Sequence, residues 1–199
     1  MSLNVINPYI YTVLSVKIGL KPEQMNNKLY INLKDNLTKK VDKKCYKNYG
    51  YVSEIYKILE TGPGTICAEN LSGSSIFNIS FSCKLCRIIE GSQLICKITQ
   101  ITRALSLAEN GPVVVIITND KINTDVFFFD NNNYLRYKDN AKSKKIEKGD
   151  FVIVTILNKE FYHKDEKIKA IGFLNNVAGD KEVDKYYEDY HRDMSIVEV

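Results

Sequence analysis

Apolar residues recur at a helical spacing in only one long segment of this chain, and most of the remainder consists of short strand-like runs. Leu29, Leu33, Leu37 and Val41 repeat every four residues, which predicts an amphipathic helix over residues 23–41. The other runs are rich in β-branched and aromatic residues, and turn-forming Gly, Pro and Asn separate them. The chain is therefore predicted to be mostly β, with one long helix.

The first half of the sequence has the pattern of a small α+β domain. A strand over residues 9–19 is closed by Pro22, and the helix follows it. After the helix come the runs YGYVSEIYKIL and SSIFNISFSC, separated by the turn Gly62-Pro63-Gly64. Polar and apolar residues alternate in the second of these runs, which predicts a half-solvated antiparallel sheet with one buried face. The order strand, helix, strands favours an α+β domain that ends near residue 86.

The second half has the pattern of an all-β unit. Its strand-like runs are QLICKITQI, RALSLAEN, PVVVIIT, TDVFFF, DFVIVTIL and EKIKAIGFL. Short strands at this spacing indicate a sandwich or a closed barrel, and five or six strands in about ninety residues favour an OB-type barrel. The polar, basic segment 131–148 is expected to be a mobile insertion between barrel strands. The predicted division is therefore 1–88, 89–178 and an acidic tail, 179–199, for which a short helix and a disordered end have equal weight.

Length and composition narrow the class of protein further. At 199 residues the chain is long enough for two small domains. No apolar run approaches the ~20 residues that a membrane-spanning helix needs, and the N-terminus lacks the pattern of a secretory signal. Five cysteines form an odd set, which favours reduced thiols over a disulfide framework. The chain is therefore expected to act inside a cell or a particle.

Charge is distributed unevenly along the sequence. Residues 1–88 carry 12 Lys and Arg against 6 Asp and Glu, residues 89–178 carry 13 against 11, and residues 179–199 carry 3 against 7. A basic first half favours contact with a polyanion or with an acidic protein surface, without separating the two. A solvated lysine-rich face is an equally weighted alternative.

Catalytic and metal-binding patterns are weak. The chain has only two histidines, His163 and His191, and no nucleophile elbow, phosphate loop or zinc-protease motif. Cys83 and Cys86 form a C-x-x-C pair, but a structural zinc site needs four ligands and no second pair is present. Residues three apart on a strand also face opposite ways, which favours two buried thiols over a metal site. We therefore expect no enzymatic activity, no metal and no cofactor.

Aromatic and basic residues interleave along the predicted barrel. OB folds bind single strands by stacking bases on aromatic rings, at about 1–3 kcal/mol per base, while Lys and Arg follow the phosphates. By strand alternation Phe128 faces opposite to Phe127 and Phe129, so at least one of these faces belongs to the core. The candidate RNA-binding residues are Lys97, Arg103, Phe127, Phe129, Tyr134, Tyr137, Tyr162, Lys167 and Lys169.

A series of short motifs resembles a known family, the stalk subunit of multisubunit DNA-directed RNA polymerases. In chain order these motifs are Lys44-Cys45, Tyr49-Gly50-Tyr51-Val52, Gly62-Pro63-Gly64, Ser72-Gly73-Ser74, AENGPVVVIIT and KIKAIGFL. No single motif is decisive, but their order and spacing over residues 9–176 carry the resemblance. The Asn- and Lys-rich sequence suggests a divergent homologue, such as one from a large DNA virus.

The resemblance implies a ribonucleoprotein-like N-terminal domain followed by an OB barrel of the ribosomal S-one type, without catalytic activity. It implies partners: a small helical subunit, the largest subunits of the polymerase core, and single-stranded nascent RNA, with no membrane. It also implies that the tip of the first domain docks on the core, through Pro22, Gly62, Pro63 and Gly64. The implied location is intracellular, in the nucleus, or in the virion and host cytoplasm if the chain is viral.

Several positions depart from the family pattern, and a second function stays open. Lys43 stands where the family has Gly, Leu105 and Leu107 stand where it has Gly and an aromatic ring, and Ile88 lies where a proline precedes the barrel. These changes put one RNA-stacking position and the domain junction in question. The alternative is a freestanding OB-fold RNA-binding protein in translation or RNA decay, which a barrel alone would permit.

Overall fold

The computed structural model describes residues 5–66, 72–102, 104–130, 134–139 and 142–191, and these ranges form thirteen strands and two α-helices. The described part of the chain is thus mostly β with two α-helices, consistent with the predicted α+β class. The elements are β1 (Tyr9–Leu20), α1 (Leu29–Val41), β2 (Lys44–Tyr46), β3 (Gly50–Thr61), β4 (Thr65–Ile66), β5 (Ser75–Cys86), β6 (Gln93–Ile101), β7 (Leu105–Asn110), β8 (Val113–Thr118), β9 (Phe127–Phe129), β10 (Leu135–Asp139), β11 (Lys142–Lys145), β12 (Phe151–Glu160), β13 (Ile168–Val177) and α2 (Asp180–His191).

The first sheet has the strand order β1-β5-β3-β2, with β4 beside the start of β5, and all of its pairings are antiparallel. The apolar stripe of α1 packs on one face of this sheet through Leu33, Leu37 and Val41. Alternate residues of β1 and β5, such as Val16 and Phe81, complete the same core. The sheet wraps far enough for the Tyr46 hydroxyl on β2 to reach the Ser15 carbonyl on β1, at 3.4 Å.

The helix is shorter than the 23–41 segment that its periodicity predicts. Residues Pro22–Gln24 form a single 3-10 turn, and α1 begins at Leu29. Proline fixes its own φ near the helical value but cannot donate a backbone hydrogen bond, so it favours such a turn. Asn26 then accepts the backbone N–H of Lys28 at 2.9 Å through its side chain, which delays the helix by another turn.

The second half forms a closed five-stranded barrel with the order β6-β7-β8-β13-β12 and back to β6. Of the two folds that the sequence left open, the closed barrel is the one present. Strands β8 and β13 pair in parallel, and the other neighbours in the barrel are antiparallel. The buried Asn110 donates to the Ile95 carbonyl at 2.7 Å across the barrel end that faces the first sheet.

One expectation about the barrel segment is wrong, and a second holds only in part. The run TDVFFF, predicted as a barrel strand, contributes β9 to a separate three-stranded sheet with β10 and β11. Segment 131–148, predicted as a mobile insertion, does lie between the barrel strands β8 and β12, but its described residues supply the other two strands of this sheet. The reason is that Phe127, Leu135 and Ile146 are buried in the barrel core, so the insertion is anchored by its own apolar residues.

The first sheet and the barrel share a core and main-chain hydrogen bonds. Cys86 and Ile88 pack in the same cluster as the barrel interior. The Cys45 amide donates to the Asp165 carbonyl at 2.7 Å, and the Lys164 amide donates to the Cys45 carbonyl at 2.8 Å. The division of the chain at residue 88 stays a prediction.

This contact also corrects the prediction of a half-solvated β5. The strand alternates as expected near its start, but Ser82, Lys84 and Cys86 are buried on the face that was predicted to be solvated. Aromatic side chains cover this face beside the barrel, and the Lys84 ammonium lies 4.8 Å from the centroid of the Tyr9 ring.

The described part of the tail forms helix α2, which is the helical one of the two alternatives that the sequence left open. The Phe151 ring lies 5.1 Å from the ring of Tyr186 and 5.7 Å from that of Tyr187, which holds α2 against the barrel side. Residues 192–199 lie outside the described residues. Within the ranges that the structure describes, neither helix is long and apolar enough to cross a membrane.

Candidate docking and nucleic-acid surfaces

The predicted docking residues meet at one end of the first sheet. Leu20, at the end of β1, pairs with Ser75 at the start of β5, and Pro22 follows directly. On the other side of β5, the Gly62 amide donates to the Asn78 carbonyl at 2.8 Å. Pro22 and the turn Gly62-Pro63-Gly64 therefore flank the same central strand, and we call this end of the sheet the tip.

Two glycines of the tip lie close to neighbouring side-chain rings. A Cβ atom on Gly64 would lie 2.6 Å from the Phe77 ring, closer than real contacts allow. Gly73 has a φ of +64° and approaches the Pro22 ring, since a Cβ there would lie 3.3 Å from Pro22 Cγ. Left-handed backbone and close approach are both conditions that favour glycine.

The tip also exposes apolar side chains that the sequence reading did not single out. Ile66 is 65% exposed, Leu59 is 42% exposed and Met25 is 37% exposed. All three lie on the elements that converge at this end, namely the loop after Pro22, the end of β3 and strand β4. Exposed apolar area on a protein surface favours a contact with another protein. Leu59 and Ile66 lie beside the Gly62-Pro63-Gly64 turn in the sequence, which is the signal that could have found them, whereas Met25 has no such signal.

The predicted RNA-binding residues fall into separate groups. Tyr162, Lys167 and Lys169 lie at the β12–β13 hairpin, which is the barrel end that faces the first sheet. The Tyr162 ring is 67% exposed, and its hydroxyl donates to Glu160 at 2.6 Å. Lys167 forms an ion pair with Glu109 at 3.0 Å, so its charge is partly compensated.

A second group lies at the opposite end of the barrel, on the inserted sheet. Tyr134 is 48% exposed, and the Lys145 ammonium lies 4.1 Å above the centroid of its ring. Phe129 is 36% exposed, whereas Tyr137 is half-buried against the barrel core. Phe127 is 1% exposed within that core, so the expectation of an exposed ring is wrong for this residue. Phe127 belongs instead to the buried cluster that includes Leu135 and Ile146.

Two members of the set belong to neither group. Lys97 projects from the barrel side, with its ammonium 5.8 Å from the Phe151 ring that packs against α2. Arg103 lies outside the described residues. The structure therefore does not gather the eight described residues of the set on one face, because strands β12 and β13 separate the two aromatic groups along the barrel axis.

Sequence reasoning missed two residues beside Tyr162. Tyr49, in the turn before β3, and Arg87, in the link between the sheets, line a groove of about 310 Å³ together with Tyr162. Tyr49 belongs to a motif that carried the family resemblance, but its turn position gave no sign that it would face the barrel hairpin.

The cysteines have the environment of core residues. Cys83 packs in the core beneath α1, while Cys86 packs in the core shared with the barrel, as the opposite faces of a strand predict. Desolvation by burial raises the pKa of Cys83 to about 12, and desolvation followed by the nearby Asp165 charge raises the pKa of Cys45 to about 11. Among the described residues no group of three His, Cys, Asp or Glu could hold a metal ion.

Comparison with known proteins identifies relatives that span most of the chain. A protein of Acanthamoeba polyphaga mimivirus, named as DNA-directed RNA polymerase subunit L376, is 34% identical over 181 residues, covering 91% of this chain and 89% of the relative. The RNA polymerase II subunit RPB7 of Glycine max is 27% identical over 75% of the chain and 83% of its own length. The corresponding subunit of Dictyostelium discoideum is 22% identical over 74% of the chain and 85% of its own length. No protein-family model matches the chain.

Proposed function

Since the chain belongs to the RPB7-like family of DNA-directed RNA polymerase subunits, we propose that it is a non-catalytic stalk subunit that docks on the polymerase core and guides nascent RNA. The observation that carries this proposal is the 34% identity over 91% of the chain, which includes both the first sheet and the barrel. The proposed place of action is that of the polymerase, in the nucleus, or in the virion and host cytoplasm if the chain is viral.

The fold assignment within this proposal is a ribonucleoprotein-like domain, residues 1–88, followed by an OB barrel, residues 89–178, and an acidic tail, 179–199. The barrel supports it, because five strands close with a parallel β8–β13 pair and antiparallel neighbours elsewhere. The first sheet supports it as well, since one helix covers one face of an antiparallel sheet.

Docking is proposed to use the tip of the first sheet. Rigid strands hold the loops there, and recognition commonly lies on loops positioned by a rigid scaffold. The exposed Ile66, Leu59 and Met25 supply apolar area, and the glycines allow a close approach of backbones. The proposed partners are the largest subunits of the core at the tip and a small helical subunit along the chain.

A freestanding RNA-binding protein in translation or RNA decay is the second candidate, and the barrel alone is compatible with it. The exposed apolar tip favours the polymerase subunit, because an RNA-binding module has no need of a second, apolar surface. Recovery of the two largest polymerase subunits with the tagged chain is the result that separates the two candidates.

The docking proposal is tested by substitution at the tip. Ile66→Asp places a charge on a side chain that is 65% exposed, so the fold should persist while apolar contact with the core is lost. Gly62→Leu and Gly64→Leu should have the same effect on association, with circular dichroism as the check on folding. Gly179→Leu is the matched control, because a Cβ there meets only the flexible end of Glu182. Undiminished recovery of the core by all three tip variants would refute the proposal.

A further inference from the structure

Two isoleucines on the outer face of the barrel are buried, although neither belongs to the barrel interior. Ile95 on β6 pairs directly with Ile153 on β12, and the two side chains are 4% and 9% exposed. Their strand neighbours, such as Leu94 and Val152, pack inside the barrel, so strand alternation turns both isoleucines outward. Neither isoleucine is a member of the two core clusters formed by the described residues. Other parts of the chain must therefore cover them.

Helix α2 is one of the two covers. It follows β13 closely, and the Ala178 amide between them donates to the Phe151 carbonyl at 2.9 Å, which turns the chain back across β12. The Phe151 ring then contacts the rings of Tyr186 and Tyr187. Tyr186 and the outward Ile95 line the same small cavity. The helix therefore lies across the outer face of β12 and reaches β6.

The N-terminal segment, residues 5–8, is the other cover. The Ile6 amide donates to the Gln93 carbonyl at 3.0 Å, at the start of β6. The Pro8 carbonyl accepts the amide of Arg87, in the link after β5, at 2.8 Å. Strand β1 begins with the next residue of the chain. The segment therefore connects the outer face of the barrel to the first strand of the first sheet.

Helix α2 and the N-terminal segment also contact each other. The Lys185 ammonium on the helix donates to the Val5 carbonyl at 3.3 Å. The cavity that remains between the two covers and the barrel is about 10 Å³, no larger than the space that one water molecule takes. Ile6 of the segment, Tyr186 of the helix and Ile95 of the barrel all line it. The three elements are therefore closely packed at this point.

From this arrangement we propose that α2 is a brace, which clamps the N-terminal segment onto the barrel and thereby holds the start of β1 in place. Burial of Ile95, Ile153 and part of the Tyr186 ring stabilises the clamp, since apolar area is removed from water. The brace is an attachment between the two halves of the chain in addition to the core that they share around Ile88. It operates whichever of the two candidate functions applies.

The alternative is that α2 shields the barrel and does nothing to the N-terminal segment. The helix has one packed face, because Lys181, Asp184 and Glu188 are exposed on its other side. That packed face is divided between the barrel, through Tyr186, and the segment, through Lys185. A shield would need no bond to the segment, so the divided face favours the brace.

The test is amide hydrogen exchange, followed by NMR on the full-length chain. The amides of Ile6 and Arg87 report on the segment, because their acceptors are the carbonyls of Gln93 and Pro8. Tyr186→Pro breaks α2, since a proline inside a helix removes a backbone hydrogen bond and clashes with the preceding turn. Exchange of both reporter amides should rise about tenfold or more, because the segment can then open locally.

Amides of β8 are the internal reference, since this strand is two strands away from both β6 and β12 in the barrel. Their exchange should change by less than about twofold in Tyr186→Pro, because only a local opening is affected.

Two lysines of the same helix give a matched pair of variants. Lys185→Met removes the bond to the Val5 carbonyl and keeps the apolar stem, so exchange of the Ile6 amide should rise about 2- to 10-fold, the range for one hydrogen bond. Lys181→Met, about one turn earlier, removes the same charge from an exposed position. It should leave the exchange of Ile6 unchanged.

Three results would overturn the proposal. The first is loss of protection in α2 of Tyr186→Pro while Ile6 and Arg87 exchange as in wild type. The second is an equal rise in β8, because α2 would then support the whole barrel rather than the segment. The third is the same exchange of Ile6 in both lysine variants, and this comparison decides alone if Tyr186→Pro does not fold. All measurements use the isolated chain, so their outcome is independent of any association with a polymerase.

Discussion

Gly172 of β13 is fixed by packing inside the barrel rather than by an unusual backbone conformation. A Cβ atom at this position would overlap the side chains of Val154 and Val115, on the two strands that flank β13. Gly19 of β1 lies in an equally regular strand, but nothing lies within 4 Å of its Cβ position. The two glycines therefore have the same chemistry and different structural requirements.

We predict that Gly172→Ala lowers the free energy of unfolding by about 1–3 kcal/mol, the usual cost of overpacking a core. Gly19→Ala should be neutral or slightly stabilising, because it reduces the freedom of the unfolded chain without a clash. Urea unfolding of both variants measures the difference. Equal stability of the two variants would show that the barrel interior can accommodate an added methyl group at residue 172.

The buried thiols make the free energy of unfolding depend on pH in the alkaline range. Burial raises the pKa of Cys96 to about 12 and that of Cys83 to about 12, from about 9 in the unfolded chain. A folded pKa above the unfolded value means that the unfolded state loses its protons first. The stabilising contribution is complete below about pH 9 and is lost as the pH rises toward 12.

The expected result is a urea midpoint that falls steadily between pH 9 and pH 11. In Cys96→Ala the slope of this fall should be smaller, since one titrating thiol has been removed. Lys and Tyr residues titrate in the same range, so the comparison between wild type and variant is what isolates the thiol. If the urea midpoint falls with pH at the same slope in wild type and in Cys96→Ala, the Cys96 thiol does not contribute to this pH dependence.

At the scale of elements, α1 both completes the first core and covers an exposed sheet edge. β1 is an edge strand, and such strands present unpaired backbone groups. The Asn36 side chain on α1 donates to the Gly19 carbonyl at 3.0 Å, and the Lys40 ammonium donates to the Lys17 carbonyl at 2.6 Å. The helix therefore satisfies part of this edge, which limits pairing with other chains.

We predict that Leu33→Ala destabilises the protein by about 2–5 kcal/mol, the range for removal of a fully buried leucine. Leu33 is 1% exposed, whereas Ile31, two positions earlier on the same helix, is 54% exposed. Ile31→Ala should change stability by no more than about 0.5 kcal/mol. Thermal unfolding followed by far-UV circular dichroism distinguishes the two variants. Similar losses of stability in both would contradict the packing of α1 on the sheet through the face that carries Leu33.

At the scale of the whole molecule, the first sheet and the barrel are joined through a shared core. Ile88 is 1% exposed and packs in the cluster that includes Cys45, Cys86 and the barrel interior. The paired main-chain bonds between Cys45 and the β12–β13 hairpin add a short ladder across the junction. We therefore expect the two halves to unfold together.

We predict that Ile88→Ala lowers the unfolding midpoint of both halves by the same amount. The chain has no tryptophan, so Phe77→Trp in the first sheet and Phe173→Trp in the barrel provide separate fluorescence reporters. Both reporters should show one transition in wild type and one shifted transition with Ile88→Ala. A shift of only one reporter would show that the halves are independent and that the junction contributes little.

Much of the secondary structure followed from the sequence, and the errors have physical reasons. Six strand-like runs were predicted in the second half, and five of them form the barrel. The sixth, TDVFFF, became β9, since local alternation does not reveal which sheet a strand joins. Segment 131–148 was read as a loop from its polarity, because two apolar anchors, Leu135 and Ile146, are too few to create a periodic signal.

The sequence by itself determined the positions of most strands, the apolar stripe of α1 and the series of motifs that resembles polymerase subunits. These are local properties, set by spacing and residue type along the chain. Only the tertiary structure decided which aromatic residues remain exposed and which of them meet. Phe127 is buried in the core, whereas Tyr49 and Tyr162, from distant segments of the chain, line the same groove. The reason is that burial and convergence depend on the packing of distant segments, about which the local pattern of a strand or a turn carries no information.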